Sequence, residues 1–361
     1  MKICTVLGAR PQFIKAAALS RKINNRFEEI IIHTGQHYDY NMSDVFFEKL
    51  CIPTPAYNLG INGKAHGRMT GEMLIALESV FIDERPQMVI VYGDTNSTLA
   101  GALAAIKLHI PVCHIEAGVR MGTLINPEEV NRVLTDRISK LLMCCTNTAV
   151  ENLKLEGITD DVYVPGDLMY DALLFYGAKL SRPSDGEIID FNGDNIKVPE
   201  NFYLLTCHRE ENTADDKPLS QIFQALESLE FQTIYPVHPR NKQRALKLIR
   251  DMNIKNIILT QPVGYLTSLY LVKNAHKIIT DSGGLQREAF FYNKQCITLL
   301  DNPVWPETFA GNMNQLCRPI CKEIIDKLEV TPDFKDHGNP FGAGDAAQKI
   351  VCLLERFEQN L

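Results

Sequence analysis

Acidic side chains recur in this sequence directly after short apolar runs. Gly93-Asp94-Thr95 follows Met88 to Tyr92, and Glu116 lies within His114-Ile115-Glu116-Ala117-Gly118-Val119-Arg120. Glu128 opens Asn126-Pro127-Glu128-Glu129-Val130-Asn131-Arg132. A carboxylate at a strand tip is costly unless something uses it. Three of them facing one space can raise one another's pKa, which suits general acid and base work. Plainer uses exist: Asp94 as a cap for the next helix, and one of the two Glu as a favourable charge at a helix N-terminus. Capping explains one Glu better than two.

Cations and glycines follow other runs. Gly8-Ala9-Arg10-Pro11-Gln12-Phe13-Ile14-Lys15 presents Arg10 at the start of a helix and Lys15 about one turn later, a pattern that fits either an anion site or an ordinary turn with solvated cations. His208-Arg209 and His238-Pro239-Arg240 each follow a strand. A lone strand-end histidine is usually structural, whereas two, each followed closely by Arg, point to phosphate. In Thr280-Asp281-Ser282-Gly283-Gly284-Leu285-Gln286-Arg287-Glu288, Gly283 and Gly284 open a helix whose amides can meet a pyrophosphate, and Glu288 can accept from ribose hydroxyls. No GxGxxG and no Walker sequence occurs, so no dinucleotide cofactor or NTPase is expected. His33 and His37 have the spacing of a zinc helix but flank Thr34-Gly35-Gln36 at a strand end, so no metal is expected.

The elements needed to present these residues are legible as a period. Ile3 to Leu7, Ile30 to His33, Met88 to Tyr92, Val112 to Ile115, Leu141 to Cys145 and Val162 to Val164 read as strands, separated by helical segments at Phe13 to Ile23, Gly67 to Phe81, Ser97 to Lys107 and Glu128 to Ser139. Past a polar stretch from Ser181 to Glu200, read as a linker, strands restart at Phe202, Thr233, Ile257, Lys277 and Gln295. The expectation is α/β: two Rossmann-like, doubly wound parallel-sheet domains over 1–180 and 200–340. A C-terminal helix over 345–361 is expected to pack back on the first domain, and the ligand to lie in the cleft between the domains at the strand ends.

The 361 residues suit two cores, and 45% apolar with 22% charged residues is ordinary globular usage. A net charge of −7 without any Lys/Arg run argues against nucleic acid. No membrane span is expected. The apolar start ends at Leu7, too short for a signal peptide, and the ten cysteines form no CxxC, so a reducing cytoplasm is expected.

Together these motifs, with Asn339-Pro340-Phe341-Gly342, resemble the non-hydrolysing UDP-N-acetylglucosamine 2-epimerases over essentially the whole length. The resemblance implies a GT-B fold with UDP held mainly by the C-terminal domain, a homodimer, no cofactor, and a UDP-amino sugar as substrate for surface polysaccharide precursors. It also implies elimination of UDP across C1–C2 to a glycal, then re-addition after protonation of the opposite face. Carried over, Asp94, Glu116 and Glu128 are acid/base candidates and His208 acts at the leaving group. Arg10, His208, Ser282 and Gly283 hold the phosphates, Glu288 the ribose, and Lys15 adds charge. Arg209, His238 and Gly284 complete the nucleotide side.

This chain also departs from the branch activated by its own substrate, which has Gln and Arg where Asp39 and Glu72 align; no allosteric activation is expected. Gln12 to Lys15, Asn41 to Asp44 and His208 to Thr213 look more like the subgroup acting on UDP-2,3-diacetamido-2,3-dideoxy-glucuronate, while Thr123 to Asn126 matches neither. A hydrolysing 2-epimerase and a GT-B glycosyltransferase are the rival activities. The transferase gives three carboxylates no task.

Overall fold

The computed structural model describes residues 1–24, 26–36, 50, 52–334 and 338–360. His37, Asp39 and the Asn41 to Asp44 stretch lie outside them. The chain forms two compact units, one of Met1–Leu174 with Asn339–Leu361, the other of Phe175–Gly338.

In the first unit β1 (Lys2–Leu7), α1 (Arg10–Ile23), β2 (Glu28–His33), β3 (Tyr57–Asn58), α2 (His66–Glu84), β4 (Met88–Tyr92), α3 (Asn96–Lys107), β5 (Val112–Ala117), α4 (Pro127–Ile138), β6 (Leu141–Cys144), α5 (Asn147–Leu155) and β7 (Val162–Tyr163) alternate, followed by α6 (Leu168–Gly177). The strands make one parallel sheet in the order β3-β2-β1-β4-β5-β6-β7. Its inner strands are buried on both faces; all five residues of β4, Met-Val-Ile-Val-Tyr, are inside. A parallel sheet requires this, because crossover helices cover each side. The last helix of the chain, Ala346–Glu358, also belongs to this unit, and its first amides bond to Asp171 at 3.1 and 2.8 Å.

The second unit repeats the plan with β8 (Tyr203–Thr206), α7 (Glu210–Thr213), α8 (Asp216–Glu227), β9 (Thr233–Pro236), α9 (Lys242–Asp251), β10 (Ile257–Thr260), α10 (Tyr265–Asn274), β11 (Ile278–Thr280), α11 (Gly283–Phe291), β12 (Cys296–Thr298), β13 (Asn314–Leu316) and α12 (Cys321–Glu329). The order is β10-β9-β8-β11-β12-β13, all parallel. The polar stretch read as a linker contributes to this core: Ile188 and Val198 are buried with Phe202, Leu204 and Ile278.

Each sheet reverses its winding once, between β1 and β4 and between β8 and β11. At such a point neighbouring loops diverge to opposite faces and leave a crevice at the strand ends. Arg10 and Asp94 follow the strands at the first reversal, and His208 and Ser282 follow those at the second.

Candidate active site

In the first unit, β1 ends at Gly8 and α1 begins with Arg10 as its first residue, partly exposed and with Pro11 behind it. Gln12, 2% exposed, uses its whole amide: Oε1 accepts from the amides of Gly8 and Ala9 at 2.7 and 2.9 Å, and Nε2 donates to Tyr92 O at 2.7 Å. Lys15, buried in the same helix, reaches Glu116 Oε2 at 2.5 Å.

Glu116 is placed by an irregularity. The β5–β6 register jumps between Ile115 and Ala117, so Glu116 is the extra residue of a bulge, with φ +71°. A bulge re-aims a side chain, and a non-glycine residue in left-handed backbone stores about 1–3 kcal/mol of strain. Gly118 (φ +78°) then turns the chain so tightly that any Cβ there would lie 2.3 Å from Ala149 O.

Asp94 follows the neighbouring strand, beyond Gly93 (φ +63°). Thr95, not Asp94, caps α3 by accepting from Thr98 N, so the carboxylate is left for another task. It pairs with the buried Arg132, whose other nitrogen donates to Glu129 Oε2 at 2.6 Å. Glu129 also accepts from the amides of Met121 and Gly122 at 2.9 Å each, pinning the loop that precedes α4. Asn126 caps α4 through Glu128 N at 2.9 Å, and Glu128 itself stands exposed in the first turn. Asp94 and Glu116 thus occupy neighbouring strand tips, each with its own cation.

Behind them His114 is fully buried between Asp136 Oδ1 and Gly93 O, each at 2.7 Å. Burial pushes the Asp136 carboxyl up, but the His114 and Arg120 charges and hydrogen bonds outweigh it and hold it below its ordinary value.

In the second unit, Thr206 and Thr280 pair across β8 and β11, which brings His208 and Asp281 together. Asp281, 0% exposed, meets His208 Nδ1 at 3.0 Å through Oδ1 and accepts from the amides of His208 and Arg209 at 2.8 Å through Oδ2. Burial raises this carboxyl, yet the His208 hydrogen bond and charge, with the two amides, hold it low. The imidazole, 42% exposed, is therefore oriented through Nδ1, leaving Nε2 for a ligand. Ser282 caps α11 by accepting from Leu285 N at 3.4 Å. Gly283 and Gly284 form the first turn, partly exposed, and Glu288 lies buried one turn on. Arg240 donates to His208 O, while His238 Nδ1 accepts from Arg240 N at 3.3 Å and Arg209 stands partly exposed beside His208.

Among the described residues, Glu116, Cys145 and Asp167 have ligand atoms within 4.8 Å of one another. The cation that meets Glu116 is the Lys15 ammonium, and Asp167 Oδ1 caps α6 through Met169 N at 2.8 Å. His33 ends β2 with its ring against Phe13, and Glu72 pairs with Lys64 and Arg68 on α2. Sequence reasoning overlooks Gln12, Arg132, Asp136 and Asp281 as individual contributors. Asp281 alone had a signal of its own, a carboxylate at a strand tip beside the phosphate glycines.

The family description UDP-N-acetylglucosamine 2-epimerase matches residues 20–355. A relative from Methanococcus maripaludis, a UDP-N-acetylglucosamine 2-epimerase homolog, is 46% identical, with 98% of this chain and 99% of the relative aligned. The UDP-2,3-diacetamido-2,3-dideoxy-D-glucuronate 2-epimerase of Pseudomonas aeruginosa is 42% identical over 99% of this chain and 100% of its own. In three dimensions the chain matches Methanocaldococcus jannaschii UDP-GlcNAc 2-epimerase, solved in complex with UDP-GlcNAc and UDP, with a TM-score of 0.86 and 38% identity over 99% of this chain and 100% of that one. The fold is GT-B-like, built from two parallel-sheet α/β units. The chain belongs to the UDP-N-acetylglucosamine 2-epimerase family, a family of sugar-nucleotide isomerases.

Proposed function

We propose that this enzyme inverts C2 of a UDP-linked N-acetylated amino sugar without hydrolysing it, interconverting UDP-N-acetylglucosamine and UDP-N-acetylmannosamine. The observation that carries the reading is the pair of carboxylates, Asp94 and Glu116, on adjacent strand tips with separate cations. The C2 proton of a pyranose is not acidified by a neighbouring carbonyl, so its removal must be coupled to departure of a good leaving group. One carboxylate takes the C2 proton while the C1–O bond breaks and UDP leaves with the bonding electrons. A proton delivered to the other face of the resulting glycal, with UDP re-adding at C1, gives the epimer. Glu128, exposed at the first turn of α4, is the third acid/base group in this reading.

The departing diphosphate needs positive charge and N–H donors. Arg10 with Lys15 supplies charge from the first unit. His208, oriented by Asp281, meets the leaving oxygen, and Ser282, Gly283 and Gly284 offer a helix start. Arg209 and His238 flank the phosphates, and Glu288 takes the ribose.

A second substrate, the UDP-2,3-diacetamido-2,3-dideoxy-glucuronate, is favoured by the 42% identity to the Pseudomonas aeruginosa enzyme. Both sugars should be offered and the products resolved by NMR. A UDP-linked epimer supports the proposal; free sugar with UDP indicates hydrolysis, and an unchanged pool in both incubations contradicts it. The enzyme acts as a homodimer in this reading, supported by Ile75 and Ile82, two turns apart and 65% and 54% exposed on α2. It works in the cytoplasm, a reading supported by the described cysteines, which are all free thiols. No described helix is long and apolar enough to cross a membrane.

A further inference from the structure

Three successive carbonyls, the last of β4 and the two that follow it, each face a buried side-chain donor from a different element. Tyr92 O accepts from Gln12 Nε2 of α1 at 2.7 Å, Gly93 O from His114 Nε2 of β5 at 2.7 Å, and Asp94 O from Asn131 Nδ2 of α4 at 2.9 Å. A carbonyl only accepts, so His114 Nε2 carries a hydrogen and donates it to Gly93 O. The donors are 2%, 0% and 6% exposed.

Each donor is itself fixed. The far side of the Gln12 amide is held by Gly8 N and Ala9 N, His114 Nδ1 by Asp136 at 2.7 Å, and Asn131 also meets Asn96 Oδ1 at 3.3 Å. Gly93 and Asp94 belong to neither strand nor helix, and Gly93 lies in left-handed backbone (φ +63°), so no strand or helix ladder fixes where Asp94 points. Arg132, which takes the Asp94 carboxylate, adjoins Asn131 on the same helix.

We infer that Gln12, His114 and Asn131 are positioning residues that clamp the Tyr92–Asp94 backbone and thereby aim the Asp94 carboxylate. This rests on the proposal that Asp94 reacts at C2. A reacting group displaced by about 1 Å loses about 10²-fold in rate, so the clamp matters for turnover rather than for binding.

The test uses shape-preserving changes that turn a donor into an acceptor, Gln12→Glu and Asn131→Asp, with Asn131→Ser as the milder variant should either fail to fold. Each is made alone and with Asp94→Asn. The clamp predicts a fall in kcat of about 10²-fold with KM and UDP affinity little changed, and almost no further loss once Asp94 is already Asn. Equal fold-losses in both backgrounds overturn it and leave these residues a structural role only. An independent reading comes from the crystal structure of Asn131→Ser. A displaced Asp94 carboxylate, with the β1 and β5 tips unmoved, supports the clamp even if the wild-type enzyme proves inactive on both sugars, which would overturn the functional reading alone. An Asp94 that keeps its place overturns the clamp.

Discussion

At the scale of single residues, the carboxylates differ in how they are held. Glu116 sits in strained backbone against a buried ammonium, whereas Asp94 lies in a turn gripped from three sides and pairs with Arg132. If Asp94 exchanges the C2 proton, Asp94→Asn lowers turnover by about 100-fold or more, the scale of a lost general base, while UDP binding measured by calorimetry is kept. Wild-type turnover in that variant would reduce Asp94 to a partner of Arg132. Asp281 makes a separate prediction. Its carboxyl is held below its ordinary value by His208 and the two amides, so the stability it contributes is present above that ordinary value and is lost as pH falls through the lowered one. The thermal midpoint of the wild type should drop as pH falls below the ordinary aspartate range of about 4, and Asp281→Asn should flatten that part of the curve. An unchanged acid limb would mean that His208 and Asp281 are not coupled. Residue types at strand tips are readable from sequence, but the partners that hold them are not. Arg132 and Asp136 look like ordinary helix charges until the fold turns them inward, and nothing in the order of residues announces the bulge at Glu116.

At the scale of elements, the strands that read most clearly are those buried on both faces, such as β4, because their runs are wholly apolar. Three segments give weak signals for physical reasons. β13 contains Asn314 and Gln315, buried polar residues whose needs are met by Thr298, Thr308 and Lys327 O. α6 is apolar on most sides, so it shows no period, and β3 is two residues long. Two glycines test the loop assignments in opposite senses. Gly118→Ala meets Ala149 O at 2.3 Å in left-handed backbone and should cost about 2–3 kcal/mol in a denaturant titration. Gly283→Ala finds only ordinary contact, 3.5 Å from the Trp305 ring nitrogen, so it should fold normally. If the first turn of α11 receives the diphosphate, the added methyl holds it off the amides, and that variant should weaken UDP by about tenfold, the scale of one hydrogen bond to a charged group. Trp305 is the sole tryptophan, so its fluorescence reports the titration. Unchanged affinity would move the nucleotide away from that helix start.

For the whole molecule, the sequence period predicts two doubly wound sheets and both are present, each with one reversal of strand order. The proposed division of labour gives proton exchange to carboxylates of the first unit and UDP binding to donors of the second. It is tested by incubating UDP-N-acetylglucosamine with the enzyme in D2O and following C2 by proton NMR. The account predicts that the C2 proton signal disappears from both epimers as deuterium enters, while the sugar stays linked to UDP. Epimer formed with its original C2 proton intact, or deuterium appearing only in sugar cut free of UDP, would contradict it.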